Sequence, residues 1–303
     1  MKVKEWGAFV LLGLIWGSSF LWIKIGVQTI TPMMLVTLRV TFGLLALLVV
    51  VLMQRQSLPR DRSTLLKYGF MGVFNLVVPF LLITWGETKI DSSLASILNA
   101  ATPLFVIIIA HFWLRDEKIT AARLGGLLLG FAGVVVLVLQ NLKPGSAQND
   151  IWGELAVLLA TVSYAVALVF SRRHLRGTKP VVQSTMILVV ASALMWVIMP
   201  VADRPVTFPA TPVTWIAVIW LGVLGLCVAY LLFFYLNNAV GPTRASLVTY
   251  IFPVVGVALG IIFLSEPLTW NMIIGSILVV GGIVVVNRKP RVAPEVAVAP
   301  AGK

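Results

Sequence analysis

Long apolar runs separated by short polar stretches fill the chain from one end to the other. Ten of them fall at about 6–24, 32–53, 66–86, 92–114, 119–140, 152–171, 181–200, 213–236, 243–264 and 269–287. A bilayer core of about 30 Å takes about 20 helical residues to cross, so each run predicts a membrane-spanning helix. The expected fold is an all-α integral membrane protein of ten transmembrane helices.

The polar marks between and within the runs occur twice. Ala95-Ser96 corresponds to Ala245-Ser246, Pro103 to Pro253 and Leu114 to Leu264. After one residue of slippage, Glu117 corresponds to Glu266, Thr120 to Thr269, Gly126 to Gly275 and Gly133 to Gly282. Each copy is two apolar runs joined by a short acidic turn, and such a repeat organises the whole chain. It divides the ten runs into five and five. Five is odd, so the second half enters the membrane from the opposite side, which predicts two inverted repeats. The predicted organisation is a first five-helix unit over 1–142, a linker over 143–150, a second unit over 151–287 and a disordered cytoplasmic tail over 288–303.

Composition agrees with a membrane protein. Apolar residues make up 59% and charged residues 11% of the chain, against roughly 25% charged in soluble domains; the mean hydropathy is +1.01. The first run follows Met1–Glu5 without a convincing cleavage site and leads into further spans, so it reads as a retained helix and not a signal peptide. The net charge of +12 is a topology signal. With the N-terminus in the cytoplasm, eighteen of the 23 Lys and Arg fall in cytoplasmic segments, four on the outer side and one, Arg39, inside a span. This is the positive-inside pattern, with both termini cytoplasmic, and it calls for no nucleic-acid partner.

The candidate chemistry is sparse. Cys227 stands alone, so neither an internal disulfide nor a cysteine metal cluster is possible. His111 and His174 belong to no metal or hydrolytic motif, and no phosphate-binding loop or nucleophile elbow occurs. No catalytic residue, metal or cofactor is expected. The pairs Gly13/Gly17, Gly126/Gly130 and Gly256/Gly260 have the spacing of close helix packing. Ser92, Ser96, Asn99 and Pro103 share one helix face, and Ser246, Thr249 and Pro253 repeat it. Each proline frees the carbonyl four residues back, on Asn99 and Thr249, and a freed carbonyl in an apolar setting needs a new partner. These faces predict a wet cavity; helix packing through small residues is the alternative. Trp16, Asn75, Tyr164, Tyr230 and Tyr250 lie deep in their spans, where a ring N–H or O–H needs a partner. With Ser96 and Asn99 they make the predicted substrate-binding set. Trp6, Trp152, Trp215 and Trp270 sit at span ends and read as interfacial anchors, as does Lys24.

Arg39 lies roughly 10 Å into the second span, where a charge costs about 2–3 kcal/mol. It is either a counter-charge for a substrate carboxylate, part of a gate, or a side chain that snorkels to helix-end carbonyls. Glu87, Asp91, Asp150 and Glu154 map to the outer ends of spans. No carboxylate lies deep in the path, which favours a facilitator or exchanger over a strongly proton-coupled pump. Glu87 and Glu154 are the titratable groups expected at the cavity mouth.

These features resemble the drug/metabolite transporter superfamily, in particular its ten-helix branch with two EamA-type domains. The stretches that carry the resemblance are Leu14–Phe20, Pro32–Arg39 with Gly43 and Ala46, and the paired turns Asp116–Thr120 and Ser265–Thr269. The match runs from about 8 to 287, and order and duplication make it specific. It implies a central cavity lined mainly by helices 1, 3, 4, 6, 8 and 9, alternating access, and export of amino acids or related metabolites across the bacterial inner membrane. It also implies a structural or gating role for Arg39, although the corresponding position of the second half, near Ile187, is apolar. The expected protein is a non-enzymatic secondary transporter whose partners are a small-molecule substrate and the lipid bilayer. It is expected to act as a monomer, with a homodimer as the alternative. Efflux of drug-like cations, or transport of sugars or nucleotide-like metabolites, is the rival within transporters. A lipid-modifying enzyme lacks the residues it would need.

Overall fold

The computed structural model describes residues 2–114, 119–139, 150–175, 177–240 and 247–287. The turn at Glu117, residues 143–149 of the linker, Arg244 to Ser246 and the tail at 288–303 lie outside the described residues. Everything described is helix or connection, with no strand among the described residues. In chain order the helical rods are α1 (Val3–Gly26), α2 (Pro32–Met53), α3 (Arg62–Gly86), α4 (Ser92–Trp113), α5 (Ala121–Leu139), α6 (Ile151–His174) and α7 (Pro180–Ala202). Then come α8 (Pro212–Val240), α9 (Leu247–Leu264) and α10 (Trp270–Asn287). Seven of the described helices are long and apolar enough to cross a membrane, and three shorter apolar helices lie within α5, α9 and α10.

Helix starts follow from local chemistry. Thr31, with Pro32 behind it, accepts from the Met34 amide; Asp61 accepts from Thr64, Asp150 from Trp152 and Thr211 from Thr214. Each oxygen satisfies one of the amides that a helix N-terminus leaves without a partner. The repeated threonines do the same work in both copies: Thr120 accepts from the Arg123 amide and Thr269 from the Met272 amide.

The repeated glycines bring α5 and α10 together. A Cβ placed on Gly133 would lie 2.7 Å from the Val279 amide nitrogen, and one on Gly282 would lie 2.5 Å from the Gly130 nitrogen and 2.6 Å from the Gly126 oxygen. These neighbours are backbone and cannot move aside. Gly282→Val is therefore expected to destabilise the fold by about 1–3 kcal/mol, the usual range for overpacking. Thermal unfolding in detergent checks this, with Gly281→Ala as the control, since only the Leu129 side chain at 3.8 Å stands near that site. Elsewhere Gly13 faces Ile251, Gly17 faces Val255 and Gly256 faces Ser96, so the small-residue spacing is used for close approach within one chain.

The packing repeats with the sequence. α5 packs on α10, α2 on α7 and α4 on α9. The other principal contacts come in pairs that exchange when each helix is replaced by the one five places along: α1–α9 with α6–α4, α3–α6 with α8–α1, and α2–α8 with α7–α3. The third helix of each half also carries the same irregularity, a π-helical segment, at Gly72–Val77 in α3 and at Trp220–Val228 in α8.

The surface is apolar. Leu11, Leu45, Leu128, Val197, Ile262 and Ile277 are all exposed, as expected where lipid replaces water. Trp6, Trp152 and Trp270 are exposed at helix ends, as their interfacial assignment requires. Trp215, at the start of α8, is half-buried. It packs inward on the Phe42 ring, 6.3 Å away and edge-on, because the start of α8 lies against α2.

Candidate functional site

The two π segments are where the interior becomes polar. A π turn shifts the hydrogen-bond ladder and leaves carbonyls to find other partners, often at functional sites. In α8 the Gly225 carbonyl accepts from the Trp16 indole Nε1 of α1 at 3.0 Å. In α3 the Phe74 carbonyl accepts from the Ser163 hydroxyl of α6 at 2.8 Å. The first helix of each half thus caps the π segment of the other half.

Around these caps, several of the expected site residues meet. The Tyr230 hydroxyl donates to Asn75 Oδ1 at 3.5 Å. Trp16 stands edge-on to Tyr230 at 6.3 Å and to Phe252 at 6.0 Å, with Phe233 at 5.6 Å. Tyr164 packs between the two main apolar clusters, and Tyr250 beside the first. Phe80, Gly225, Ser163, Phe233 and Phe252 belong to this cluster of aromatic and polar groups, which we name the chamber, and carry no sequence signal that separates them from lipid-facing or packing residues.

Arg39 enters the same chamber from α2. Its side chain is 6% exposed, its guanidinium carbon lies 3.9 Å over the Phe80 ring centroid, and its Nε has no hydrogen-bond partner. Tyr164, Tyr230 and Glu87 are the ionisable groups that interact with it electrostatically. A Cβ on Gly225 would sit 3.9 Å from one terminal guanidinium nitrogen and 3.6 Å from the Ser19 hydroxyl. Snorkelling to helix-end carbonyls is therefore not what this arginine does; it is held inside on an aromatic face.

The α4 residues divide. Ser96 is fully buried, donates to the Ser93 carbonyl at 2.7 Å and seats against Gly256. It belongs to the α4–α9 seam and not to the chamber, because α9 approaches closely enough to cover it. Asn99 is half-buried where α4 breaks, and its freed carbonyl takes the Thr102 hydroxyl at 2.7 Å. The Asn99 Oδ1 has no hydrogen-bond partner.

Where α1 ends and α2 begins, the chamber is closed. Lys24 Nζ donates to the Glu87 and Ile90 carbonyls, both at 2.7 Å, tying α1 to the α3–α4 turn. Thr29 and Thr214 pair through their hydroxyls at 2.6 Å, Thr31 bonds Asp203, and Trp22 packs on Trp220 at 5.4 Å. Glu87 and Glu154, expected at a cavity mouth, are both 0% exposed. They are sealed by the contacts around them. Glu266, at the α9–α10 turn, accepts from the amides of Ser92 (2.8 Å) and Ser93 (2.9 Å) and from the Ser93 hydroxyl, so it caps the start of α4. At the opposite end a cavity of about 680 Å³ is lined by Lys2 to Glu5, Tyr235 and Ala239.

The arrangement has the parts of a small-molecule site: an aromatic wall, a few directed polar groups and one buried charge. Comparison with known proteins gives the family. The model of the EamA-like transporter family matches residues 5–139 and again 151–288. A protein of Archaeoglobus fulgidus described as an uncharacterized transporter is 29% identical over 287 residues, covering 95% of this chain and 100% of that protein. YoaV of Bacillus subtilis is 26% identical, covering 93% and 96%. The Escherichia coli inner membrane transporter YedA is 27% identical, covering 96% and 95%. A solved crystal structure, 22% identical, superposes with a TM-score of 0.67 over 94% of this chain and 96% of that one, and shares its fold. With two matched repeats over nearly its whole length, the chain belongs to the EamA-like transporter family.

Proposed function

We propose that the protein is a secondary transporter of a bacterial inner membrane that exports amino acids or their derivatives by alternating access. Its ten helical rods cross the bilayer as two inverted five-helix repeats, 1–142 and 151–287, with both termini cytoplasmic. It works without enzymatic chemistry and as a monomer. The observation that carries this reading is the reciprocal capping of the π segments, Trp16 on Gly225 and Ser163 on Phe74, around one polar chamber. Two like units meeting at a central site, each holding an irregular helix of the other, are suited to rocking about that site. Both Lys24–Glu87 and Thr29–Thr214 contacts then belong to an outer gate that is shut in this conformation.

Counterflow in proteoliposomes tests the function. Vesicles preloaded with mixed amino acids should take up a few labelled ones saturably, with no need of a pH gradient. Uptake that vanishes without a gradient would instead make the exchange proton-coupled and turn attention to Glu87 and Glu154. Absence of exchange for every amino acid rejects the substrate class. Asn99→Ala and Tyr250→Ala should each raise the apparent KM about five- to tenfold, the worth of one hydrogen bond of about 1 kcal/mol. Wild-type rate and affinity in both would remove these residues from the site.

A further inference from the structure

Arg39 is a charge without a counter-charge in contact. It is buried, no carboxylate among the described residues reaches it within ion-pair distance, and its one close partner is the face of Phe80. What a desolvated cation gains over an aromatic ring is less than what removing such an ion from water costs. Glu87, the one acid among the described residues that interacts with it electrostatically, is also buried, and neither of its carboxyl oxygens has a hydrogen-bond partner. A buried cation and a buried carboxyl group are thus enclosed and held apart. A structural ion pair would close that gap. A site that waits for a ligand leaves it open.

The surroundings specify the ligand. A guanidinium presents its donors as a planar fork that fits a carboxylate through two parallel hydrogen bonds. Phe80 covers one face of that fork, so a ligand approaches along its edge. One terminal nitrogen of the fork lies near Gly225, 3.9 Å from where a Cβ would sit, with the Ser19 hydroxyl 3.6 Å from the same point, and the Gly225 carbonyl is the one that Trp16 holds. From there the rings of Trp16, Tyr230, Phe233 and Phe252 continue as an apolar wall.

We propose that Arg39 is the carboxylate-binding group of the chamber, and that the transported molecule is a small carboxylic acid whose apolar body lies on the Trp16–Tyr230–Phe252 wall. This rests on reading the chamber as the transport site, but not on the ligand being an amino acid. The role is direct contact with substrate, not a fixed gating charge.

The experiment pairs acids with their primary amides. Counterflow and thermal stabilisation in detergent are measured for hydrophobic L-amino acids, phenylacetate and short-chain fatty acids, each against its amide. The wild type should prefer acid to amide at least tenfold. Arg39→Gln should abolish that preference by raising the apparent KM for acids at least tenfold while leaving the amides nearly unchanged. Arg39→Lys should retain part of it. Preference for phenylacetate or fatty acids without exchange of any amino acid would sustain the Arg39 assignment and reject the amino-acid reading. Equal handling of acid and amide by the wild type overturns the proposal, as does failure of every acid to bind or exchange. An acid-to-amide ratio unchanged in Arg39→Lys, with only the maximal rate lowered, would make Arg39 a gating charge. The wild-type comparison stands even where Arg39→Gln fails to fold.

Discussion

Glu266→Ala is expected to lower the unfolding free energy by about 2–6 kcal/mol, the largest loss from any single truncation considered. The reason is where its partners lie. Ser92 and Ser93 are buried at the start of α4, and their amides have the Glu266 carboxylate as acceptor. Removing it leaves two donors in an apolar setting, each costing about 1–3 kcal/mol. It also removes an anion from a helix N-terminus, where the aligned peptide dipoles favour negative charge. Glu266→Gln keeps one acceptor oxygen and should fall between alanine and wild type. Ser93→Ala removes only a hydroxyl and should cost no more than about 1.5 kcal/mol. Thermal or denaturant unfolding in detergent ranks the three. Unfolding of Glu266→Ala within 0.5 kcal/mol of wild type, a difference of about twofold in the folded ratio, would mean that water or another group replaces the cap.

Trp16→Phe carries the second large effect, on transport and not on folding. Phenylalanine retains most of the ring that packs on Phe233 and Phe252 but has no N–H for the Gly225 carbonyl. That carbonyl is unpaired only while the π segment keeps its present shape. The loss of about 1–3 kcal/mol therefore falls on this conformation, and it shifts the balance against others by about 5- to 150-fold. Initial exchange rates should change by about fivefold or more, with the melting temperature little altered. Ser163→Ala, which frees the Phe74 carbonyl, should act in the same way. Normal exchange in both variants would show that the caps are packing details and that the conformational cycle does not break them.

Much of this was readable in the sequence, and the limits have a common cause. Several of the repeated marks have a structural reason: Thr120 and Thr269 start helices, the glycines set the α5–α10 crossing, and the break before Pro103 releases the Asn99 carbonyl to the Thr102 hydroxyl. The grouping of Trp16, Asn75 and Tyr230 followed from their depth. What depth cannot tell is which way a side chain faces. In a soluble helix, the polar stripe gives the rotation about the axis; here lipid and protein interior are equally apolar, and that signal is lost. So Ser96, on the same predicted face as Asn99, lies in a sealed seam. Phe80, one phenylalanine among fifteen, turns out to be the ring under Arg39. Glu87 and Glu154, expected at an open mouth, are enclosed because that end of the bundle is closed.

The π segments also change which way the helices that carry them face. A π turn takes up one residue more than an α turn, so each behaves as an insertion that rotates all that follows by about 100°. Helices α3 and α8 can thereby turn one side toward the chamber before the insertion and another after it, a freedom that a regular helix lacks. The same helix of both halves carries it. The extra residue is thus a property of the repeated unit, present at corresponding places in α3 and α8, and not of either half alone.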